Sequence, residues 1–277
     1  MNFFLQKVTT LQCINVSDDI AEEAPLEIIV AYGKAAQRKR QVISITMRTP
    51  NGEDVELAIG FLFSEGIIQG KKSVSIARYT TAESETSQPN SICIELHPDT
   101  HFDATKLQRH FYMSSSCGVC GKASLELVES HTCYLFETGQ PSITKQLLFD
   151  LPQKLLAAQQ RFQSTGGIHA AALFDTSGKL RCLREDVGRH NALDKVLGWA
   201  VQNTTLPLKN DLLLLSGRAS FELIQKAAMA GIPIVVAIGA PSSLAIELAT
   251  THGITLIGFL RHDRFNIYCG AERIIIY

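Results

Sequence analysis

The sequence predicts a mixed α/β protein, in which a C-terminal domain with a largely parallel sheet joins a smaller β-rich N-terminal domain. Two observations predict the sheet. Apolar runs such as residues 212–215 and 234–238 have the length of buried strands, and amphipathic segments at 220–230 and 242–251 follow them. Strands that alternate with helices in this way form largely parallel sheets covered on both faces. The third observation is the strand-like, turn-bounded character of the first half.

The elements of the first half are short. Residues 42–48 read as a strand that ends at a Pro-Asn-Gly turn, and Asp54 is placed to cap a helix that Gly66 ends. Residues 80–90 are polar and predict a loop, 91–96 predict a strand, and 105–111 predict a short helix.

In the second half, predicted strands and helices alternate more clearly. The pattern predicts a helix over residues 151–162, capped by Asp150, and a second helix over 189–201. The predicted strands of this half are residues 168–174, 180–183, 212–215, 233–238, 254–260 and 265–268. We place the domains at residues 1–112 and 136–277, with a connecting loop at 113–135.

Composition excludes several classes of protein. The 277 residues are 45% hydrophobic and 19% charged, which excludes a disordered or low-complexity chain. A net charge of -1 argues against a general nucleic-acid binder, although the C-terminal half is positive. We expect no membrane span, because no apolar run approaches ~18 residues, and Gln6 and Lys7 end the first apolar run too soon for a signal peptide. A cytoplasmic protein whose seven cysteines are reduced is therefore expected.

One local pair of cysteines, Cys117 and Cys120, lies in the segment Ser-Ser-Ser-Cys-Gly-Val-Cys-Gly. Two cysteines at this spacing can share a metal, exchange disulfides or pass a sulfur atom between them. A zinc site needs two further ligands, and the nearest candidates, His131 and Cys133, do not form a second CxxC, so we expect no structural zinc. The serine-rich approach fits a thioredoxin-like pair poorly, and a loop without chemistry stays open.

A second group of candidate residues follows the predicted parallel strands. Carboxyl ends of parallel neighbours meet at one edge of a sheet, where open α/β sheets bind ligands. Two of these connections are small-residue turns at helix N-termini, which can hold phosphate, and arginines add bidentate donors. Ordinary helix caps and surface arginines would have the same sequence. The candidates are Ser216, Gly217, Arg218, Ala240, Pro241, Ser242, Phe259, Leu260, Arg261, His262, Asp263 and Arg264.

A third group surrounds a predicted strand-to-helix turn at residues 185–195, which includes Arg189 and His190. His190 beside Asp186 can form an acid/base pair, although a helix-start histidine held by a carboxylate is more often structural. His169, at the start of a predicted buried strand, can line the same site or be a satisfied core histidine.

These segments together resemble one family. CGVCG, TGGIHAA, EDVGRHNALDK, SGRAS, TLIGFLRHDRFNIY and the earlier GFLFSEGII occur in the order found in the FdhD family of formate dehydrogenase accessory sulfurtransferases. The resemblance covers about residues 20 to 273. It implies a three-layer, cytidine-deaminase-like C-terminal domain and a homodimer.

The resemblance also implies a function. Such proteins accept persulfide sulfur from a cysteine desulfurase and pass it to the molybdenum (or tungsten) bis-pterin guanine dinucleotide cofactor before its insertion into formate dehydrogenase. The family's persulfide-bearing cysteine corresponds to Cys117, with Cys120 expected to assist. Its cofactor-binding stretch corresponds to Phe259 through Arg264, and guanosine diphosphate is expected to bind as a fragment. A non-enzymatic cofactor chaperone and a zinc or dithiol-redox protein are the alternatives.

The chain departs from the deaminases themselves. Residues 165–171 contain His-Ala-Ala where a zinc deaminase has His-x-Glu, and no Pro-Cys-x-x-Cys follows. This sequence therefore argues against zinc-dependent deamination.

Overall fold

A computed structural model of the chain describes residues 1–34, 37–80, 90–100, 102, 134 and 136–277. Cys117 and Cys120, the predicted helix at 105–111 and the candidate zinc ligands His131 and Cys133 lie outside the described residues. The predicted domain limits near residues 112 and 135 are therefore not tested.

The described residues form four sheets and six α-helices. The strands are β1 (Asn2–Val8), β2 (Cys13–Asp19), β3 (Ala24–Tyr32), β4 (Lys39–Arg48), β5 (Val74–Tyr79), β6 (Ser91–Leu96), β7 (Ile143–Thr144), β8 (His169–Asp175), β9 (Leu180–Asp186), β10 (Asp211–Leu215), β11 (Ile234–Ala237), β12 (Thr255–Gly258), β13 (Asn266–Cys269) and β14 (Ile274–Ile275). The helices are α1 (Asp54–Ser64), α2 (Lys145–Ala158), α3 (Gln160–Thr165), α4 (Arg189–Asn203), α5 (Phe221–Met229) and α6 (Ser243–Thr251).

The central sheet has six strands in the order β13-β12-β11-β10-β8-β9. β10, β11 and β12 pair in parallel, while β8 is antiparallel to both β10 and β9, and β13 is antiparallel to β12. Four strands (β9 to β12) consequently point one way and two point the other. The predicted mixed α/β class is confirmed, with antiparallel pairs flanking a parallel centre.

Both faces of the central sheet are covered by helices, because its strands are apolar on both faces. On one face, α2 packs Leu148, Leu151 and Leu155 against side chains such as Phe174 and Leu214. On the other, α4, α5 and α6 cover the alternate side chains of the same strands. The result is the predicted three-layer arrangement.

The smaller N-terminal sheet, in the order β4-β3-β6-β5, shares its core with the central sheet. Helix α1 lies between the two and crosses α4 at very short range. A Cβ at Gly60 would overlap the Asp194 carbonyl, and one at Gly198 would lie 2.6 Å from the Glu56 carbonyl carbon. These glycines therefore let the two helix backbones touch.

Several features differ from the predictions, among them strands β3 and β5, which were not predicted, and the predicted helix over 151–162, which is interrupted between α2 and α3. The N-terminal hairpin β1–β2 was not predicted. Helix α2 starts at Lys145, where the Thr144 hydroxyl accepts from Leu147 N, so Asp150 lies inside the helix and does not cap it. The Asp54 carboxylate, predicted to be a cap, instead binds the buried Arg48 guanidinium at 2.8 and 2.9 Å.

In the parts of the chain that the structure describes, every helix is too short or too polar to cross a bilayer.

Candidate functional site

The turns that follow β10, β11 and β12 lie side by side at one edge of the central sheet. Their backbones continue the sheet's hydrogen bonding beyond the strand ends, since Gly239 N donates to Gly217 O at 2.9 Å and Phe259 N donates to Gly239 O at 3.1 Å. A Cβ at Gly258 would lie 2.9 Å from Pro241 Cδ. The three turns predicted from sequence thus converge, and we call residues 216–218, 239–242 and 259–264 the strand-end edge.

The antiparallel direction of β8 brings a fourth segment to this edge. Because β8 runs against β10, its first residue, His169, lies beside the end of β10. The Ser216 hydroxyl oxygen accepts from Ala170 N at 2.8 Å, and a Cβ at Gly217 would lie 3.4 Å from the His169 ring. His169 is therefore a neighbour of the first turn.

His169 is half-buried, and its surroundings disfavour a charged ring. Burial lowers the pKa of His169 below its ordinary value, and the nearby charges of Arg189 and His190 lower it further. The neutral imidazole is consequently the resting form at neutral pH.

Helix α4 begins at the same edge and presents Arg189 and His190. His190 Nε2 lies 3.4 Å from Ser220 Oγ and 3.8 Å from Glu222 Oε2, both at the start of α5. The neighbouring imidazole holds the pKa of Glu222 well below its ordinary value. Sequence reasoning missed Ser220 and Glu222. The signal for them was a hydroxyl and a carboxylate directly after the small-residue turn.

The carboxylate predicted to partner His190 has other partners. Asp186 is fully buried and binds Lys195 Nζ at 2.7 Å, Thr49 N at 3.1 Å and Gly188 N at 2.9 Å. The charged motif at residues 185–195 therefore divides in two. Its buried members stabilise the fold, while Arg189 and His190 face the edge.

The segment from Phe259 to Arg264 also contains two kinds of residue, those that fix the loop and those that are exposed. Leu260 is buried, and the Arg261 guanidinium donates to the carbonyls of Ile238 and Leu260 at 2.8 and 2.7 Å, so both residues fix the loop. Phe259 has a φ of 53° and is exposed, and strained residues of this kind concentrate at functional sites. His262, Asp263 and Arg264 are exposed, with Arg264 Nη1 3.7 Å from Asp263.

The strand-end edge has the properties of an anion site. Arg218 is exposed, and its side chain forms no hydrogen bond or ion pair with any residue that the structure describes. The N-termini of α5 and α6 point to this edge, although the Ser242 hydroxyl already caps α6 by accepting from Ala245 N. Exposed guanidiniums beside helix N-termini suit a phosphate or diphosphate group.

The fold and this edge define a class: an α/β protein with a candidate ligand-binding edge at the carboxyl ends of its parallel strands. Comparison with known proteins defines the family. The model of the FdhD/NarQ family matches residues 21–275, and the chain belongs to that family.

Curated relatives agree with this assignment, and a solved structure has the same fold. The "Sulfur carrier protein FdhD" of Mycolicibacterium paratuberculosis is 47% identical over 269 residues, covering 96% of each chain. The protein of the same name from Streptomyces coelicolor is 46% identical, covering 94% of this chain and 90% of its own. A crystal structure described as a putative formate dehydrogenase accessory protein from Desulfotalea psychrophila matches 99% of both chains with a TM-score of 0.75 and 23% identity, which supports the fold.

Proposed function

We propose that this protein is a sulfur carrier that supports the maturation of formate dehydrogenase, with Cys117 as the sulfur-bearing residue. The observation that carries the proposal is the family match over residues 21–275 together with relatives named sulfur carrier proteins at up to 47% identity. The CxxC at Cys117 and Cys120 supplies the thiols that such a role requires.

Loading of Cys117 is a thiol exchange. The Cys117 thiolate attacks the outer sulfur of a persulfide on a cysteine desulfurase, the donor's S–S bond breaks, and the donor leaves as a thiolate. The outer sulfur now forms a persulfide on Cys117.

Release of the sulfur as sulfide requires two electrons. The Cys120 thiolate can supply them by attacking the inner sulfur of the Cys117 persulfide, which forms a Cys117–Cys120 disulfide and expels hydrosulfide as a ligand for the metal. Reduction by a cellular dithiol then regenerates both thiols.

The substrate of that second step is the molybdenum (or tungsten) bis-pterin guanine dinucleotide cofactor, held at the strand-end edge. The support is the unpartnered guanidinium of Arg218, the exposed Arg264 and the helix N-termini beside them. Arg189 and His190 lie at the same edge, and the turns formed by Ser216, Gly217, Ala240, Pro241 and Ser242 belong to the proposed contact surface. Guanosine diphosphate, which keeps the phosphates and the base, is the fragment expected to bind.

The proposal includes partners and a setting. The donor is a cysteine desulfurase, the client is formate dehydrogenase, and the carrier acts as a homodimer in the cytoplasm. No structural zinc is expected, and elemental analysis that found one tightly held zinc per chain, with unfolding on chelation, would contradict this.

Mass spectrometry of the intact protein tests the central claim. After incubation with a cysteine desulfurase and cysteine, the wild-type chain should gain the mass of one sulfur atom, and thiol alkylation should map it to Cys117. Cys117→Ala should abolish both loading and client activation while guanosine diphosphate still binds. Full client activation by that variant would show that Cys117 is not the carrier, and nucleotide binding without any loading would favour the cofactor chaperone.

A further inference from the structure

A cavity of about 550 Å³ lies at the edge of the central sheet opposite the strand-end edge. The turn between β8 and β9, the start of β10 and Trp199 of α4 line it. Asp211, the first residue of β10, pairs with Asp175, the last residue of β8, whereas His169 at the other end of β8 lies beside the strand-end edge. The two places are therefore opposite ends of the same strands. The volume is within the range of small-molecule sites, about 300–1,000 Å³.

A buried carboxylate holds Arg181 at this cavity. Both oxygens of Asp211 accept from Arg181 Nη1 at 2.6 Å, and the Asp211 side chain is only 3% exposed. Burial raises the pKa of Asp211, and the hydrogen bond from Arg181 opposes that rise. Because a buried carboxylate is costly without its cation, this contact fixes the position of the guanidinium.

The contact with Asp211 leaves the rest of the Arg181 guanidinium open. Within the part of the chain that the structure describes, its Nε and Nη2 form no hydrogen bond or ion pair, and the side chain is 34% exposed. Nε and Nη2 carry the two parallel N–H groups that a carboxylate can accept in a bidentate contact. Arg181 is therefore an anchored guanidinium with a free pair of donors.

The charges around the cavity favour a singly charged anion. Lys179 and Arg181 are balanced by Asp175 and Asp211, so the lining has no excess of positive charge for a phosphate dianion. Asp175 is committed to the β8–β9 turn, because its Oδ1 accepts from Ser177 N, Ser177 Oγ and Lys179 N. The Lys179 ammonium forms no hydrogen bond or ion pair with any described residue, and it can face an anion bound to Arg181.

Trp199 supplies an aromatic wall to the same cavity. It is the single tryptophan of the chain, and it is half-buried. Part of its side chain packs against the core, and the remainder lines the cavity. An indole face of this kind favours a flat, apolar ring in an offset or edge contact.

We propose that this cavity binds a small aromatic carboxylate. Its carboxylate accepts from Nε and Nη2 of Arg181, and its ring lies against Trp199. Asp211 is the positioning residue for Arg181, and Lys179 adds a second positive charge beside the carboxylate. The inference does not depend on the proposed function, because the cavity and the strand-end edge lie at opposite ends of the sheet.

Fluorescence of Trp199 tests the proposal, with benzoate as the probe. Since the chain has one tryptophan, its emission reports on this cavity alone. Benzoate should change the emission saturably, with a dissociation constant of about 1 mM or below for a ligand of this size. Acetate lacks the ring and benzyl alcohol lacks the charge, so each should bind at least about tenfold more weakly. Unchanged emission with benzoate would overturn the proposal. So would tighter binding of phenyl phosphate, or equal binding of acetate or benzyl alcohol.

Two variants test the contacts. Arg181→Lys keeps a cation beside Asp211 but removes the paired donors, so it should weaken benzoate binding about ten- to a hundredfold. Lys179→Glu, at an exposed residue, should weaken it about two- to thirtyfold at low salt. Arg161→Lys, at an exposed arginine on α3, is the matched control and should bind as the wild type does. Chemical denaturation checks that each variant is folded. Wild-type affinity in Arg181→Lys or in Lys179→Glu would overturn the assigned contacts.

Discussion

The strand-end edge and the crossing of α1 with α4 use the same kinds of residue for opposite purposes. At the crossing, Lys195 and Lys226 are buried and bind Asp186 and Asp194 at 2.7 and 2.8 Å. At the edge, Arg218 is exposed and has no partner in the described chain. Charged residues at the crossing stabilise the protein, whereas Arg218 at the edge is available to a ligand. Both regions use cationic side chains. A cation with protein partners stabilises the fold, and a cation without them is available to a ligand.

The largest effect should follow from breaking the ion pair of Lys195. Lys195→Met leaves the Asp186 carboxylate buried without its cation, which typically costs about 3–5 kcal/mol. Chemical denaturation measures this loss. Lys209→Met, at an exposed lysine, should change the free energy of unfolding by less than about 0.5 kcal/mol. If the two variants had the same free energy of unfolding, the buried ion pair of Lys195 would stabilise the protein no more than an exposed lysine does.

A substitution at Gly198, where α1 and α4 touch, should lower the free energy of unfolding nearly as much. Alanine is the better helix former by ~1 kcal/mol, yet Gly198→Ala should destabilise by about 3 kcal/mol, because its Cβ would push α1 away from α4. Gly167→Ala is the matched control, since its nearest contact would be at 3.8 Å. A Gly198→Ala variant as stable as this control would show that the helices can separate without cost.

Arginines at the edge should show the opposite behaviour. Arg218→Ala and Arg264→Ala should leave the free energy of unfolding within about 0.5 kcal/mol of wild type. Each should weaken guanosine diphosphate binding about ten- to a hundredfold, or ~1.5–3 kcal/mol, by removing a charged hydrogen bond to phosphate. Arg181→Ala is the control, because Arg181 pairs with Asp211 at the other edge of the sheet. Calorimetry that gave one affinity for all four proteins would place the nucleotide elsewhere.

The smallest expected effect concerns the protonation of His169. The pKa of His169 is lowered in the fold, so the unfolded chain binds the proton more readily, and stability should fall as pH drops through about 6.5. Arg189→Gln should raise the NMR titration midpoint of His169 by removing a repelling charge. Guanosine diphosphate should raise it too, since phosphate favours the imidazolium. A midpoint that nucleotide leaves unchanged would separate His169 from the ligand.

Sequence patterns predicted those parts of the fold that local periodicity controls. The strand at residues 91–96 agrees with the observed β6, Ser91–Leu96, and the three predicted turns do meet at one edge. The start of helix α2 was predicted too late, because Asp150 resembles an N-cap residue. In the structure Pro152 lies inside the helix, which Thr144 caps. Hairpin β1–β2 was missed, since the apolar run Phe3-Phe4-Leu5 in β1 does not alternate with polar residues.

Within the site, the sequence predicted positions but could not assign partners. Arg261 and Arg264 are indistinguishable as letters, yet Arg261 donates to two main-chain carbonyls while Arg264 is exposed. Asp186 and His190 are close in sequence, but the long-range contacts of Asp186 with Thr49 and of His190 with Ser220 separate them. The partner of each side chain depends on segments that are distant in the chain, so a local sequence pattern does not predict it.

The close crossing of α1 and α4 also governs how the chain can fold during synthesis. Nascent chains usually fold domain by domain from the N-terminus. Here the shared core extends from Leu26 to Leu256, and the contact between Gly60 and Asp194 joins the first quarter of the chain to its last third. The side of α1 that packs on α4 thus leaves the ribosome uncovered and stays so until α4 is made. At ~5–20 residues per second, the wait from residue 64 to residue 203 lasts about 7 to 28 seconds. Over that interval the apolar surface that α4 will cover stays exposed to water.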